Sequence, residues 1–105
     1  MKRGLKNYLQ NKGVDSVQKL HLLLFLQRHP LLQGTIQELA QRLYFGDIVL
    51  LNKILADLQF AELIERIGSR YKLRDAPEVK LYLDALARLF EDPLARQELL
   101  QALPS

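Results

Sequence analysis

The chain contains no cysteine, so it forms no disulfide and has no thiolate to act as nucleophile or metal ligand. Long apolar runs are also missing: the longest covers residues 22–26, whereas a membrane-spanning helix needs about 20 residues. The start of the chain is basic, but Lys6 and Asn7 arrive before any apolar segment, so we expect no secretory signal. These absences are compatible with a reducing cytoplasm, which is the location that we predict.

Catalytic motifs are absent too. The sequence has no glycine-rich phosphate loop and no convincing Ser-His-Asp set, and its carboxylates fall mainly at helix caps and on exposed helix faces. His21 lies on an apolar stripe, but a lone histidine without a second histidine or a nearby carboxylate does not build a metal site. The sequence therefore predicts no enzyme, no metal site and no cofactor.

What is present is ordinary for a soluble globular protein. The 105 residues are 49% apolar and 26% charged, which predicts a single domain over residues 1–105 with its own core. Residues 1–74 carry 12 basic and 6 acidic side chains, whereas residues 75–105 carry 3 basic and 6 acidic ones. A basic body with a mildly acidic tail fits a nucleic-acid surface beside a partner-facing element, although ordinary surface scatter gives the same balance.

The most informative stretch covers residues 35–73. Thr35 and Glu38 have the spacing of a capping box, and Asp47 is a good N-cap for a second helix. That helix has a stripe predicted to be buried, formed by Ile48, Leu51, Leu55 and Leu58. Two apolar segments then flank Gly68-Ser69, which suits a type II′ hairpin turn. The order helix, turn, helix, hairpin is that of a winged helix-turn-helix.

The flanking segments read as further helices. We expect Asp15 and Asp75 to cap the helices that follow them, and a central helix to be buried on more than one side. The predicted chain has an N-terminal helix within residues 1–13, a winged-helix core over 16–75 and C-terminal helices over 76–105. The helices are predicted near residues 3–12, 16–29, 35–43, 47–60, 76–91 and 93–103, and the strands near 64–67 and 70–73.

Residues 55–65 resemble the end of the recognition helix and the entry to the wing in bacterial MarR/ArsR-like winged-helix regulators. Leu55, Leu58, Leu63 and Ile64 stand at the family's habitual apolar positions, and the overall pattern covers about residues 16–75. The chain departs from the family at Glu62, where a glycine is usual; a left-handed backbone there costs a non-glycine residue roughly 1 kcal/mol. The resemblance implies a DNA-binding transcriptional regulator that forms a homodimer.

The candidate DNA contacts divide by their role. Asn52 and Lys53 are the two outward side chains of the second helix that suit base edges, and the predicted wing carries three cations suited to the phosphate backbone. A solvated strand edge protected by its charges is the alternative explanation for the wing cations. Arg42 and the helix start at Thr35 add potential phosphate contacts. The DNA-binding candidates are therefore Thr35, Arg42, Asn52, Lys53, Arg66, Arg70 and Lys72.

The outward face of the second helix also offers apolar side chains, which favours an alternative function. Ile48 and Val49, with Leu50 and Ala56, would form a docking face for another protein and leave DNA unbound. The C-terminal helices have a wide apolar stripe that packs either on the central helix or on a second copy. The candidates for that contact are Tyr82, Leu86, Leu89 and Phe90.

Overall fold

The computed structural model describes residues 3–103, which form six helices and one two-stranded antiparallel sheet. The predicted mostly helical chain with a β-hairpin is confirmed, and the order of its elements is compatible with a winged helix-turn-helix. Predicted positions outside 3–103, including the basic residues at the start, lie outside the described residues. The elements are α1 Arg3–Asn11, α2 Val17–Arg28, α3 Ile36–Leu43, α4 Ile48–Phe60, β1 Ile64–Ile67, β2 Arg70–Leu73, α5 Pro77–Glu91 and α6 Pro93–Ala102.

Two of the predicted caps are confirmed. The Thr35 side chain accepts from the Glu38 amide at 3.2 Å, and a Glu38 carboxylate oxygen accepts from the Thr35 amide at 3.0 Å, which completes the capping box of α3. Asp47 accepts from the Leu50 amide at 3.0 Å and caps α4. These bonds satisfy amides that have no partner inside the helix, so they fix where each helix begins.

Two other caps were predicted wrongly. Ser16, not Asp15, caps α2, because the Asp15 carboxylate is engaged by the Lys19 ammonium at 3.0 Å. At α5 the cap position is Ala76, which makes no side-chain cap bond, and Asp75 lies one residue outside. Pro77 takes the first helical position, where its fixed φ is suitable and its missing N–H costs nothing.

Left-handed residues end two helices of the motif. Tyr44 has φ 53° after α3, and Glu62 has φ 63° after α4. The amide that follows each of them donates a hydrogen bond to a carbonyl in the last turns of the helix. The Phe45 amide donates to the Ala40 carbonyl at 2.8 Å, and the Leu63 amide donates to the Leu58 carbonyl at 3.0 Å. The turn at Glu62 is therefore the one that a glycine usually makes, and the chain tolerates the strain.

The sheet sets which side chains share a face. Ile64 pairs with Leu73 and Arg66 with Tyr71, so these four side chains lie on the face toward the core. Gly68 has φ 61° at the turn, and Ser69 has no positive φ, as a type II′ turn requires. Gly34 adds an isolated bridge to the sheet by exchanging two hydrogen bonds with Tyr71, at 3.0 and 2.7 Å.

The core surrounds α2, which packs on α4, α5 and β2 and so occupies the predicted central position. Leu20, Leu23 and Leu26 of α2 are completely buried. The helix is apolar on several faces because it has neighbours on several sides. His21 is exposed at the surface, although the sequence placed it on an apolar stripe of this helix.

Candidate nucleic-acid interface

Helix α4 is held in place by one buried face. Leu51, Ile54, Leu55 and Leu58 are at most 4% exposed, which orients the rest of the helix outward. The opposite face presents Asn52 and Lys53, together with Ala56, to solvent. Both polar side chains that the sequence assigned to base contacts are therefore accessible.

The first half of the same helix exposes apolar side chains. Val49 is 82% exposed, Ile48 42% and Leu50 36%, and Tyr44 in the turn before α4 is 95% exposed. The sequence placed Ile48 both in the buried stripe and on the outward face, and its exposure agrees with the outward placement. We call Tyr44, Ile48, Val49 and Leu50 the α4 apolar patch.

The hairpin presents two of its three cations on one outer face. The register places Arg70 and Lys72 together on the side away from the core, as predicted from strand alternation. Arg70 is restrained, since its Nη1 donates to the Gln33 carbonyl at 3.3 Å and lies 4.0 Å from a Glu38 carboxylate oxygen. Lys72 is half-buried.

Arg66 lies apart from that pair. Its pairing with Tyr71 places it on the other face of the hairpin, where its Nε donates to the Gly68 carbonyl at 2.8 Å. Its guanidinium also lies 5.8 Å from the centre of the Tyr71 ring, within the range of a cation–π contact. The structure therefore does not bring the three wing cations together.

The start of α3 offers less to a phosphate than the sequence suggested. The sequence offered the helix start at Thr35 as a phosphate contact, but the amides of Thr35 and Glu38 both donate within the capping box. Hydrogen bonds from the Thr35 backbone and side chain, helped by Arg70 and Arg42, lower the pKa of the Glu38 carboxyl. The carboxylate thus stays charged at the helix start, where it disfavours a second anion. Arg42 is exposed farther along α3.

The charges of the motif cancel. Residues 35–73 carry five basic and five acidic side chains, so the net charge of +3 does not originate there. Residues 1–34 hold six basic side chains and one acidic, which locates most of the basic surplus before the motif. Attraction between the motif and phosphates must therefore come from the local placement of a few cations.

Lys19 is a charged residue whose role the sequence did not reveal. It is 8% exposed, and its ammonium contacts Asp15 at 3.0 Å, Asp57 at 3.2 Å and the Gly13 carbonyl at 3.1 Å. Burial alone lowers the pKa of Lys19, but the bonds to the two carboxylates outweigh it, and the pKa is raised. The Asp57 charge is thereby compensated.

The predicted dimer residues occupy mixed positions. Leu86 is completely buried within the single chain, so it has no surface to offer a second copy. Tyr82 is half-buried and stacks on the Tyr8 ring, with centroids 3.9 Å apart and planes 7° from parallel. Leu89 and Phe90 are likewise partly buried against the core. The large apolar side chains exposed on these helices are Leu81 at 64% and Leu94 at 73%, both outside the predicted set.

Tyr8 is also unusual, because its hydroxyl is buried and has no hydrogen-bond partner among residues 3–103. Burial, with smaller effects from Glu78 and Tyr82, raises its pKa to about 12. The hydroxyl therefore stays neutral, and the ring anchors α1 against α5.

Comparison with protein-family models, with curated proteins and with solved structures finds no match for this chain. Within residues 3–103 the histidines and carboxylates form no group of three or more that could hold a metal ion. Over the same range, every helix is too short or too polar to cross a membrane.

Proposed function

We propose that this chain is a winged helix-turn-helix regulator that binds duplex DNA in the cytoplasm, with α4 in the major groove and the hairpin on the sugar-phosphate backbone. The order of α3, α4 and the hairpin supports the proposal. So does the resemblance of residues 16–75 to MarR/ArsR-like regulators. No resident cofactor or metal takes part.

The observation that carries the proposal is the presentation of Asn52 and Lys53. Burial of Leu51 and Ile54 locks the rotation of α4, so the amide and the ammonium project outward from adjacent positions of a rigid helix. An asparagine amide suits adenine and a lysine ammonium suits guanine in the major groove. Nearby apolar side chains such as Val49 suit thymine methyl groups.

Phosphate contacts are assigned to Arg70 and Lys72, which share the outer face of the hairpin. Arg42 supplements them from α3, because its side chain is exposed. Thr35 and Arg66 contribute less: the capping box occupies the Thr35 amide, and Arg66 faces the other side of the hairpin.

A salt-dependence series tests the proposal. We expect the logarithm of affinity for a random duplex to fall linearly with the logarithm of salt concentration, measured by fluorescence anisotropy. Arg70→Ala with Lys72→Ala should reduce that slope by about 1.8, since each lost phosphate contact removes about 0.9. Lys6→Ala with Lys12→Ala is the matched control, because it removes the same charge from the first twelve residues, outside the motif, and should leave the slope nearly unchanged.

The base contacts have their own readout. Asn52→Ala or Lys53→Ala should change which sequences are enriched from a random duplex pool, whereas the hairpin double variant should weaken all sequences alike. A wild-type protein that binds no duplex even at low salt would refute the regulator.

A protein-interaction module is the second candidate, and the α4 apolar patch favours it. Tyr44 and Val49 are among the most exposed large apolar side chains of residues 3–103, and the motif has no net charge to attract DNA. Arg42 of α3 and Lys53 of α4 are exposed as well, and their positive charges attract acidic side chains. The partner that fits best is therefore an amphipathic helix with acidic flanks. Here Val49→Asp should abolish partner binding at unchanged thermal stability, while the hairpin double variant retains the partner.

We also propose that the regulator is a symmetric dimer. The exposed Leu81 and Leu94 supply apolar surface on α5 and α6, and the half-buried Leu89 and Phe90 extend it. Winged-helix regulators of the family that the chain resembles commonly dimerise through terminal helices, and a two-fold dimer would match the two half-sites of a palindromic operator. Sedimentation across micromolar concentrations tests this directly.

A further inference from the structure

Two open cavities adjoin along α2 and α5, away from the candidate interface on α4. One, of about 450 Å³, lies between the end of α2, β2 and the start of α5. The other, of about 490 Å³, lies between α2, the end of α5 and α6. Gln27 and Asp84 line both and hydrogen-bond to each other at 3.0 Å, so the two cavities meet at this bond along the groove between α2 and α5, which we call the trough.

The trough is basic. Its lining includes six cations and three carboxylates, whereas the motif of residues 35–73 is neutral. Lys19 and Arg70 form ion pairs elsewhere in the protein, and neither of them lines the trough. The cations are Arg28, Lys72, Arg74, Lys80, Arg88 and Arg96.

The spacing of these charges suits an extended ligand. Lys80, Asp84 and Arg88 follow one another at every fourth position and so lie along one face of α5, with about 12 Å between the first and the last. That distance equals the axial rise of three or four nucleotides in one strand of a duplex, at about 3.4 Å each. The cations are strung along the trough, and a compact anion would contact only some of them.

The composition of the trough suits phosphates. Four of the six cations are arginines, whose guanidinium presents a planar fork of donors to phosphate oxygens. Lys72 belongs both to the trough and to the outer face of the hairpin, beside Arg70. Lys72 therefore links the outer face of the hairpin to the trough.

We propose that this trough binds the phosphodiester backbone of a nucleic acid, without reading its sequence. The charge and spacing of the trough support the proposal independently of α4, whereas its continuity with the hairpin rests on the proposed function. The three carboxylates, of Asp75, Asp84 and Glu91, lie among the cations and weaken the attraction.

The test measures binding of a labelled single-stranded oligonucleotide and of a random duplex over a salt series. Arg88→Ala with Arg96→Ala should lower the slope by about 1.4 for the single strand and about 1.8 for the duplex. Both side chains are exposed, so folding should survive, which circular dichroism checks. Asp84→Asn keeps an oxygen for Gln27 but removes a negative charge, so affinity should increase. Lys6→Ala with Lys12→Ala is again the control of equal charge.

The outcomes separate the two proposals. If the wild type binds duplex but Arg88→Ala with Arg96→Ala matches the control, the trough assignment is wrong and the regulator stands. If amide NMR shifts from the oligonucleotide fall along α2 and α5 but none on α4, the trough stands and the regulator fails. Tighter binding of a glutamate-rich peptide of equal charge would overturn the nucleic-acid assignment in favour of an acidic protein segment.

Discussion

Replacing Glu62 by glycine should stabilise the protein. Glu62 has φ 63°, a conformation that costs a side-chain-bearing residue roughly 1–2 kcal/mol and costs glycine almost nothing. Glycine also makes the unfolded chain more flexible, and the extra conformational entropy lost on folding costs about 0.5–1 kcal/mol. Since the Glu62 side chain is exposed, little contact is lost. The net expectation is a gain of about 0.5–1 kcal/mol in the free energy of unfolding.

Urea denaturation followed by circular dichroism measures this gain, and thermal unfolding should show a rise in Tm of about 3–6 °C. Glu62→Ala is the essential control, because alanine removes the carboxylate but keeps the strain. Ala56→Gly, at an exposed position inside α4, should instead cost about 1 kcal/mol.

The reasoning therefore predicts opposite signs for an alanine-to-glycine change at positions 62 and 56. Equal or lower stability of Glu62→Gly relative to Glu62→Ala would refute it. That result would mean that residue 62 is not left-handed in solution, and that the turn into the hairpin differs from the one described.

Glu38 should make the free energy of unfolding depend on pH in the acid range, because its pKa in the folded protein lies below the usual 4.5. Its stabilising contribution is complete above pH 4.5 and is lost as the pH falls through the folded pKa. Glu38→Gln should remove that part of the dependence in urea titrations at pH 3–6. Leu86→Asp should unfold the single chain, since it places a carboxylate in the core, whereas Leu81→Asp should leave a folded monomer in sedimentation. Lys19 has a raised pKa, so its stabilising contribution is present at neutral pH and is lost as the pH rises through the folded pKa. Lys19→Met should destabilise the wild type at pH 7 and abolish this alkaline loss, which thermal melts at pH 7 and above 10 would show.

The local features of the motif followed from the sequence because each depends on residues a few positions apart. The Thr35–Glu38 capping box, the Asp47 cap and the Gly68 turn all close over two or three residues. The same holds for the buried face of α4, since helical spacing alone puts Leu51, Leu55 and Leu58 on one side. These signals located α3, α4 and both strands.

Only the tertiary structure decided which side chains of different elements contact one another. Lys19 pairs with Asp57, and Gly34 bridges to Tyr71, across separations that no local pattern encodes. Leu86 was predicted to lie in a dimer interface, but the fold of the single chain buries it completely, because an apolar stripe does not specify what it packs against. The basic trough arises in the same way: its cations are spread over residues 28–96, and only the packing of α2, β2, α5 and α6 brings them together.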